Sequence, residues 1–403
     1  MIVVLGMITS SMLEEVYLEL RLSKFQREDF EALALARAGL AKAVADLRND
    51  LLMDRGGRDE MMDALGDVWA RGDEGKLGRD GKGIELGRGT YRVWVEDETA
   101  KFDLNTIALN RVLLKALLNR LGLEDKEAAE VANAIIDWRD MDDVPQPPGT
   151  GKEDEYYSTL ADKKAGKDRS DDAPLSYHCK NDRFSSVEEL LSVAGVTPKL
   201  FYGVDPEKET PPGPIERLTA RAEQARERHV RDRHVGLRDV LTVHSNGAIN
   251  INTADEFVLS VVFRTVISDA KVGETVAKNL IQLRKPDAHG NFSNDKAFRN
   301  IGELNNVAGM PPNAVVRLMP IVPLTVRSDV FCIYALGEVG RSQHLIGAHV
   351  TRSFEACQPD YLATMFDQGV IHSRLIDAFR RRHGSERKPI EAATVRVVQW
   401  QEL

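Results

Sequence analysis

Cysteine is scarce in this chain, with three residues in 403: Cys179, Cys332 and Cys357. That count excludes a disulfide scaffold, and the spacing fits neither a zinc site nor a thiol redox pair. An oxidising compartment would permit one disulfide, and the spacing does not choose the pair. Long hydrophobic runs are missing too. No stretch of 18 or more apolar residues occurs, so no complete membrane span is encoded. Positive charge is in deficit, with a formal net charge of -9, which argues against a general nucleic-acid coat. Hydrolytic motifs are also lacking: there is no HExxH and no GxSxG, and His229 and His234 lie off one helical face. Gly149-Thr150-Gly151-Lys152 has the outline of a phosphate-binding loop. However, Gln146 stands where glycine is needed, and Glu153 where Ser or Thr should meet the metal. The sequence gives no ground for an enzyme.

What is present is an ordinary globular composition, 42% hydrophobic and 29% charged, in a length that usually divides into two or three domains. There is also an internal duplication. Phe102-Asp103-Leu104-Asn105-Thr106 is answered by Ile249-Asn250-Ile251-Asn252-Thr253. Val131-Ala132, Ile135 and Arg139 are answered by Val276-Ala277, Leu280 and Arg284 on a second apolar-periodic run. Finally Phe184, Glu189-Leu190, Val193-Ala194-Gly195 are answered by Phe298, Glu303-Leu304, Val307-Ala308-Gly309. Three blocks repeated in one order fix the reading of the region.

In chain order, Met1 to Leu13 is nearly all apolar or small until Glu14 and Glu15 interrupt. Thirteen helical residues reach about 20 Å, short of a hydrocarbon core of about 30 Å. The stretch reads either as a buried or frayed helix start or as the end of a span that begins upstream. No charged leader precedes it. Leu18, Leu22, Phe25, Leu33, Ala36, Leu40, Val44, Leu47 and Leu51 then recur at helical spacing, which predicts one helix of roughly 50 residues. A rod of that length suits a filament subunit. Residues 54–89 are rich in glycine and charge and read as a connection, with a short helix over 61–69. Tyr91, Val93 and Val95 alternate with polar residues as a half-buried strand. Two polar inserts, 140–182 and 207–239, interrupt the duplicated region; the second reads as a solvent-exposed polar helix.

Strands return at the end. Residues 330–336 and 345–350 flank Gly340-Arg341-Ser342 as a hairpin, and 394–400 supplies a further strand. An isolated strand is not stable, so the early one should pair with these. The expected fold class is α+β, a small antiparallel sheet with a long N-terminal helix and a large, internally duplicated helical insertion. The divisions are residues 1–53 (helix), 54–96 (linker and first strand), 97–320 (insertion, with repeats at about 97–204 and 246–320) and 321–403 (remaining strands).

The duplicated blocks resemble helix-hairpin-helix units, which grip DNA backbone through glycine-rich turns. In these turns the second glycine is missing and Pro198, Pro311 and Pro312 remove donors. The informative polar cluster is Asp137-Trp138-Arg139-Asp140-Met141-Asp142-Asp143 with Glu153-Asp154-Glu155. Calcium takes six to eight oxygens, often from carboxylates two apart on a loop. Asp140 and Asp142 have that spacing, and Glu153 and Asp154 would fold back across the prolines to join them. A solvated acidic loop is the plain alternative.

Together these pieces resemble the type II secretion minor pseudopilin family called general secretion pathway protein K. The likeness rests on Leu35-Ala36-Arg37-Ala38-Gly39-Leu40, Ile135-Ile136-Asp137-Trp138-Arg139-Asp140-Met141-Asp142, Gly151-Lys152-Glu153-Asp154 and Asn181-Asp182-Arg183-Phe184. Glu188-Glu189-Leu190, Ala194-Gly195, Thr242-Val243-His244-Ser245 and the closing Trp400 also fit. The resemblance implies a pilin-like domain carrying an insertion of helix-hairpin-helix or SAM-like type. It further implies a place with other minor pseudopilins at the tip of a pseudopilus that promotes protein export. It would put a single N-terminal anchor in the inner membrane and the bulk of the chain in the periplasm, with calcium at the acidic loop and no nucleic-acid partner. A leader with its processing site is not found here, and residues 355–388 match nothing in the family pattern. The rival class is a helix-hairpin-helix DNA-binding protein of the competence type.

Overall fold

The opening helix, α1 (Ile2–Gly56), runs 55 residues without a proline and stops at Gly56. Residues 2–56, 62–71, 83–147, 151–159, 177–218, 235–267, 269–284, 296–357 and 390–402 are described by this computed structural model. Chain contacts divide into two compact units. One holds Met1–Glu60, Gly66–Glu96 and Asp329–Leu403; the other holds Met61–Leu65 and Asp97–Ser328.

In the first unit α1 has two halves. From Ala32 onward one face is buried at Ala32, Leu35, Ala36, Ala43, Leu47 and Leu51, positions that fall on one side of a helix of 3.6 residues per turn. Before that, Val4, Leu5, Ile8, Leu13, Tyr17 and Leu20 are exposed. Among the described residues no helix is long and apolar enough to cross a membrane. After the short helix α2 (Val68–Arg71) come β1 (Ile84–Leu86) and β2 (Gly89–Asp97).

The single helix expected over 61–69 is thus shorter and later. The Asp63 N–H donates to the Val326 carbonyl at 2.7 Å, and the Asp63 carboxylate accepts from Ser328 N at 2.7 Å. That segment is committed to tertiary pairing rather than to helical hydrogen bonds.

The sheet is ordered β1-β2-β7-β8-β9, with β7 (Val330–Val339), β8 (Ser342–Cys357) and β9 (Ile390–Glu402) added from the end of the chain. Strand β7 pairs antiparallel with β8 from Val330↔Thr351 to Val339↔Ser342. Gly340, at φ +60, opens that turn, as hairpins of right-handed twist require. Strand β9 pairs with β8 and carries a bulge opposite His349 and Val350. Helix α1 lies close against this sheet because glycines let it. A Cβ on Gly337 would collide with the Ala32 carbonyl, and one on Gly39 would press on Val93 and Tyr91. Beneath the helix, Trp69 meets Phe331 edge-on at 4.9 Å between ring centroids. Arg352 pairs with Asp50 at 2.9 Å, both side chains almost fully buried.

In the second unit the two repeats share an order of parts, to which the first adds short helices. Repeat one runs through β3 (Phe102–Asp103), α3 (Leu104–Ile107), α4 (Arg111–Arg120), α5 (Asp125–Arg139), α6 (Asp154–Ser158), a 3-10 turn (Val187–Ser192) and α7 (Pro198–Tyr202). A short α8 (Leu237–Val240) and β4 (Leu241–Thr242) follow. Repeat two has β5 (Ile249–Asn250), α9 (Glu256–Arg264), α10 (Ala270–Leu283), a 3-10 turn (Ile301–Asn306), α11 (Ala314–Leu318) and β6 (Leu324–Thr325). Each opening strand forms a two-residue parallel pair, β3 with β4 and β5 with β6.

The likeness extends to single atoms. Asn105 donates to the Phe184 carbonyl at 3.1 Å and accepts from Phe184 N at 2.8 Å. Asn252 does the same with Phe298, at 2.9 and 2.8 Å. Gly195 and Gly309 sit in the left-handed region at φ +84 and +86. One apolar core spans both repeats, including Leu104, Leu114, Ile135, Leu190, Ile251, Leu259, Leu280 and Leu304. Most of the expected polar helix (residues 219–234) and nearly all of the unmatched stretch (358–389) lie outside the described residues.

Candidate metal centre

The acidic cluster is assembled by the last turn of α5 and the first residue before α6. The helix places Asp137 and Asp140 three apart, on one face. The chain then loops through the prolines and returns with Glu153 as the N-cap of α6. Asp137 ties the loop at both ends: its carboxylate accepts from Gln146 N at 3.1 Å and from Lys152 N at 2.5 Å. A side chain at Gly151 would run into that same carboxylate. The segment with the outline of a phosphate loop therefore turns its Lys152 N–H to an aspartate. Asp140 accepts from the Gln146 amide at 3.1 Å through one oxygen, while the other is buried without a partner. Glu153 is 4% exposed, and neither of its carboxylate oxygens has a hydrogen-bond partner.

One ligand oxygen each from Asp137, Asp140 and Glu153 lies within 4.8 Å of the others. Electrostatics follow from this crowding. Burial, and then the carboxylates of Asp137, Asp140, Asp142 and Asp143, push Glu153 up to about 8. Burial pushes Asp137 up to about 6 against its two backbone donors, and raises Asp140. Asp137 and Asp140 also sit at the C-terminal end of α5, where the peptide dipoles add partial negative charge. The arrangement demands a proton or a cation.

Of the four residues expected from sequence, the structure brings Asp140 and Glu153 together and adds Asp137. Asp142 accepts from Val144 N at 2.9 Å, shaping the loop. It stays near enough to raise Glu153 and Asp140. Asp154 turns to His178 Nδ1 at 3.0 Å and to Cys179 N at 2.9 Å, and these two donors lower its pKa. Asp137 is on the helix, at i, i+3 from Asp140, a spacing outside the loop pattern that marks Asp140 and Asp142. The cluster has a stiff backing: Trp138 meets Tyr157 at 5.1 Å, Tyr157 meets Tyr177 at 5.3 Å, and the buried Tyr157 hydroxyl accepts from Ala194 N.

The hairpin turns are occupied internally. Val196 N donates to Val193 O at 3.1 Å and Met310 N to Val307 O at 3.0 Å. Those N–H groups are spent within the turns.

Residues 100–206, which hold this cluster, match the family model described as "Type II secretion system (T2SS), protein K". The likeness is to a type II secretion protein K domain over that segment. The chain is 28% identical over 196 residues to type II secretion system protein K of Pseudomonas aeruginosa, a match covering 47% of this chain and 53% of that protein. With protein K of Pectobacterium carotovorum it shares 32% identity over 89 residues, 22% of this chain and 23% of the relative. With protein K of Aeromonas hydrophila it shares 29% over 150 residues, 35% and 41%. The chain thus spans at most 53% of these curated relatives. A solved GspK–GspI–GspJ complex from enterotoxigenic Escherichia coli contains a chain of similar fold, with TM-score 0.51 and 19% identity over 82% of this chain and 94% of that one. This second likeness extends the mixed helix and antiparallel-sheet architecture, long N-terminal helix included, well beyond the matched domain.

Proposed function

We propose that this protein is a structural minor pseudopilin of a type II secretion system, acting at the pseudopilus tip alongside other minor pseudopilins during protein export. The observation that carries the reading is the protein K likeness at residues 100–206 inside a fold similar to a chain of the GspK–GspI–GspJ complex. The exposed apolar residues in the first half of α1, among them Val4, Leu5, Ile8 and Leu13, suit an inner-membrane anchor or filament packing. The helix-on-sheet unit suits a pilin-like domain in the periplasm, and the two repeats suit a helix-hairpin-helix scaffold reused for packing. The rival DNA-binding reading is disfavoured by the internally satisfied turn N–H groups and the net charge of -9.

In this reading the acidic loop holds calcium. Asp137, Asp140 and Glu153 are hard oxygen donors, and two unpartnered buried oxygens on Glu153 suit a hard divalent cation. When bound, calcium supplies the positive charge that lets all three stay ionised. Asp137 fixes Gln146 and Lys152, and Asp142 and Asp154 set the loop path around them.

Co-purification of the soluble part, from about residue 24 on, with its cognate minor pseudopilins tests the function. A stable complex is expected. Well-folded samples that associate with none of them would refute the pseudopilin reading.

A further inference from the structure

Helix α10 ends where α5 ends in the other repeat, yet its end is closed in a different way. Arg284, which occupies the C-cap of α10, is 8% exposed. Its guanidinium donates to the Ile251 carbonyl at 2.8 Å and also to the Ala254 carbonyl. Both acceptors belong to the strand-turn that opens repeat two, so a single side chain pins the last turn of α10 to the first turn of its own repeat. Asp255 is the carboxylate acting on it, and burial lowers its pKa to about 10, which leaves it charged at neutral pH.

Repeat one places Arg139 at the same point. There the side chain is only half-buried, its Nε is buried without a hydrogen-bond partner among the described residues, and it acts on Asp140 rather than on the opening turn. The helix end is instead crowded by Asp137, Asp140 and Glu153. Both helix C-termini attract positive charge through their peptide dipoles. At one end the arginine is bonded to the opening turn of its repeat; at the other, Arg139 stands beside three acids.

We propose that the Arg284 guanidinium is a built-in cation that closes repeat two, so that only repeat one of the duplicated unit responds to a free cation. The device makes half of the unit constitutive and half conditional on divalent metal. It rests on the calcium reading of repeat one for its second half, while the role of Arg284 stands on the hydrogen bonds alone.

Hydrogen exchange on the full chain, with calcium chloride or with a chelator, separates the two. In the wild type, chelation should speed exchange in the last turn of α5 and residues 151–159, and leave α10 unchanged. Arg284→Met should speed exchange in the last turn of α10 and at residues 251–254 by about tenfold or more, equally in calcium and in chelator. Arg284→Gln, which keeps one donor, should shift the same amides by less, and it serves if the methionine variant does not fold. Wild-type exchange rates at α10 in either variant would overturn the role of Arg284. Chelation that loosens both repeats alike would overturn the division between them. If chelation moves neither repeat while Arg284→Met still loosens α10, the calcium reading fails and the guanidinium closure stands.

Discussion

The two repeats of the helical unit share their hydrogen-bond skeleton and differ in their charge. Asn105 and Asn252 each bracket a phenylalanine backbone by two hydrogen bonds. Gly195 and Gly309 turn the chain at nearly the same positive φ. Yet α5 ends in an acidic cluster and α10 ends in a buried arginine. The shared parts set backbone geometry: the two asparagines are buried, and the two glycines take a positive φ that other residues rarely adopt. The helix ends are buried in both repeats as well, at Asp137 and at Arg284, yet they carry opposite charge.

If the skeleton is truly shared, breaking it should cost the same in both halves. Asn105→Ala and Asn252→Ala each remove two buried hydrogen bonds and orphan a buried N–H and a carbonyl. Each should cost about 3 kcal/mol in denaturant unfolding. A difference of more than about 1.5 kcal/mol between the two would break the symmetry.

The charge difference should appear as a pH dependence at repeat one that repeat two lacks. The folded pKa of Glu153, about 8, lies above its ordinary value of 4.5. The folded state therefore holds a proton that the unfolded state has lost, so stability is full below pH about 4.5 and is lost as pH rises through about 8. Asp137, pushed up to about 6, adds in the same direction over its own window. Cation-free protein should melt progressively lower from pH 5 to 8, by several degrees. Saturating calcium should remove the cluster's share of the decline, and Glu153→Gln should reduce the decline without calcium. The remainder comes from Asp50 and Asp97, each pushed by burial to about 6. A decline of equal size in Glu153→Gln would remove Glu153 as a source.

The smallest contrast lies at the turns. Gly195→Ala and Gly309→Ala each force a left-handed alanine, at about 1 kcal/mol. A Cβ on Gly195 also meets Val131 Cγ2 at 2.8 Å, against 3.6 Å to Val276 Cγ2 at Gly309. The first should therefore be the more destabilising by about 1 kcal/mol in the same denaturant series. Equal losses would mean that Val131 yields freely.

Much of this architecture could be read beforehand where periodicity and turn chemistry agree. The unbroken run to Gly56, the Gly340-Arg341 hairpin and the repeated Asn-Thr and Val-Ala-Gly blocks each announce a local structure, and each is found. The buried face of α1 keeps Ala36, Leu47 and Leu51 of the expected stripe and adds Ala32, Leu35 and Ala43, while Leu33, Leu40 and Val44 are half-buried; Gly337 and Gly39 let small residues approach the sheet. The early short helix was misplaced because pairing of Asp63 with Val326 and Ser328 is invisible to local pattern. At the acidic loop, Asp140 and Glu153 were legible as neighbours across a proline turn. Asp137 was not, because it sits on a helix and its partners are backbone N–H groups nine and fifteen residues away. Asp154 looked equivalent to Glu153 in sequence, and only the fold shows that it faces His178 and Cys179.

Calcium binding at the end of α5 is the claim on which the contrast between the repeats depends, and calorimetric titration of the purified chain with calcium chloride tests it most directly. The account predicts saturable calcium binding at the acidic loop, lost in Asp137→Asn and in Glu153→Gln and retained in Arg284→Gln. It also predicts a melting temperature that rises as free calcium exceeds the dissociation constant. No heat of binding, with identical melting in calcium and in chelator, would contradict it.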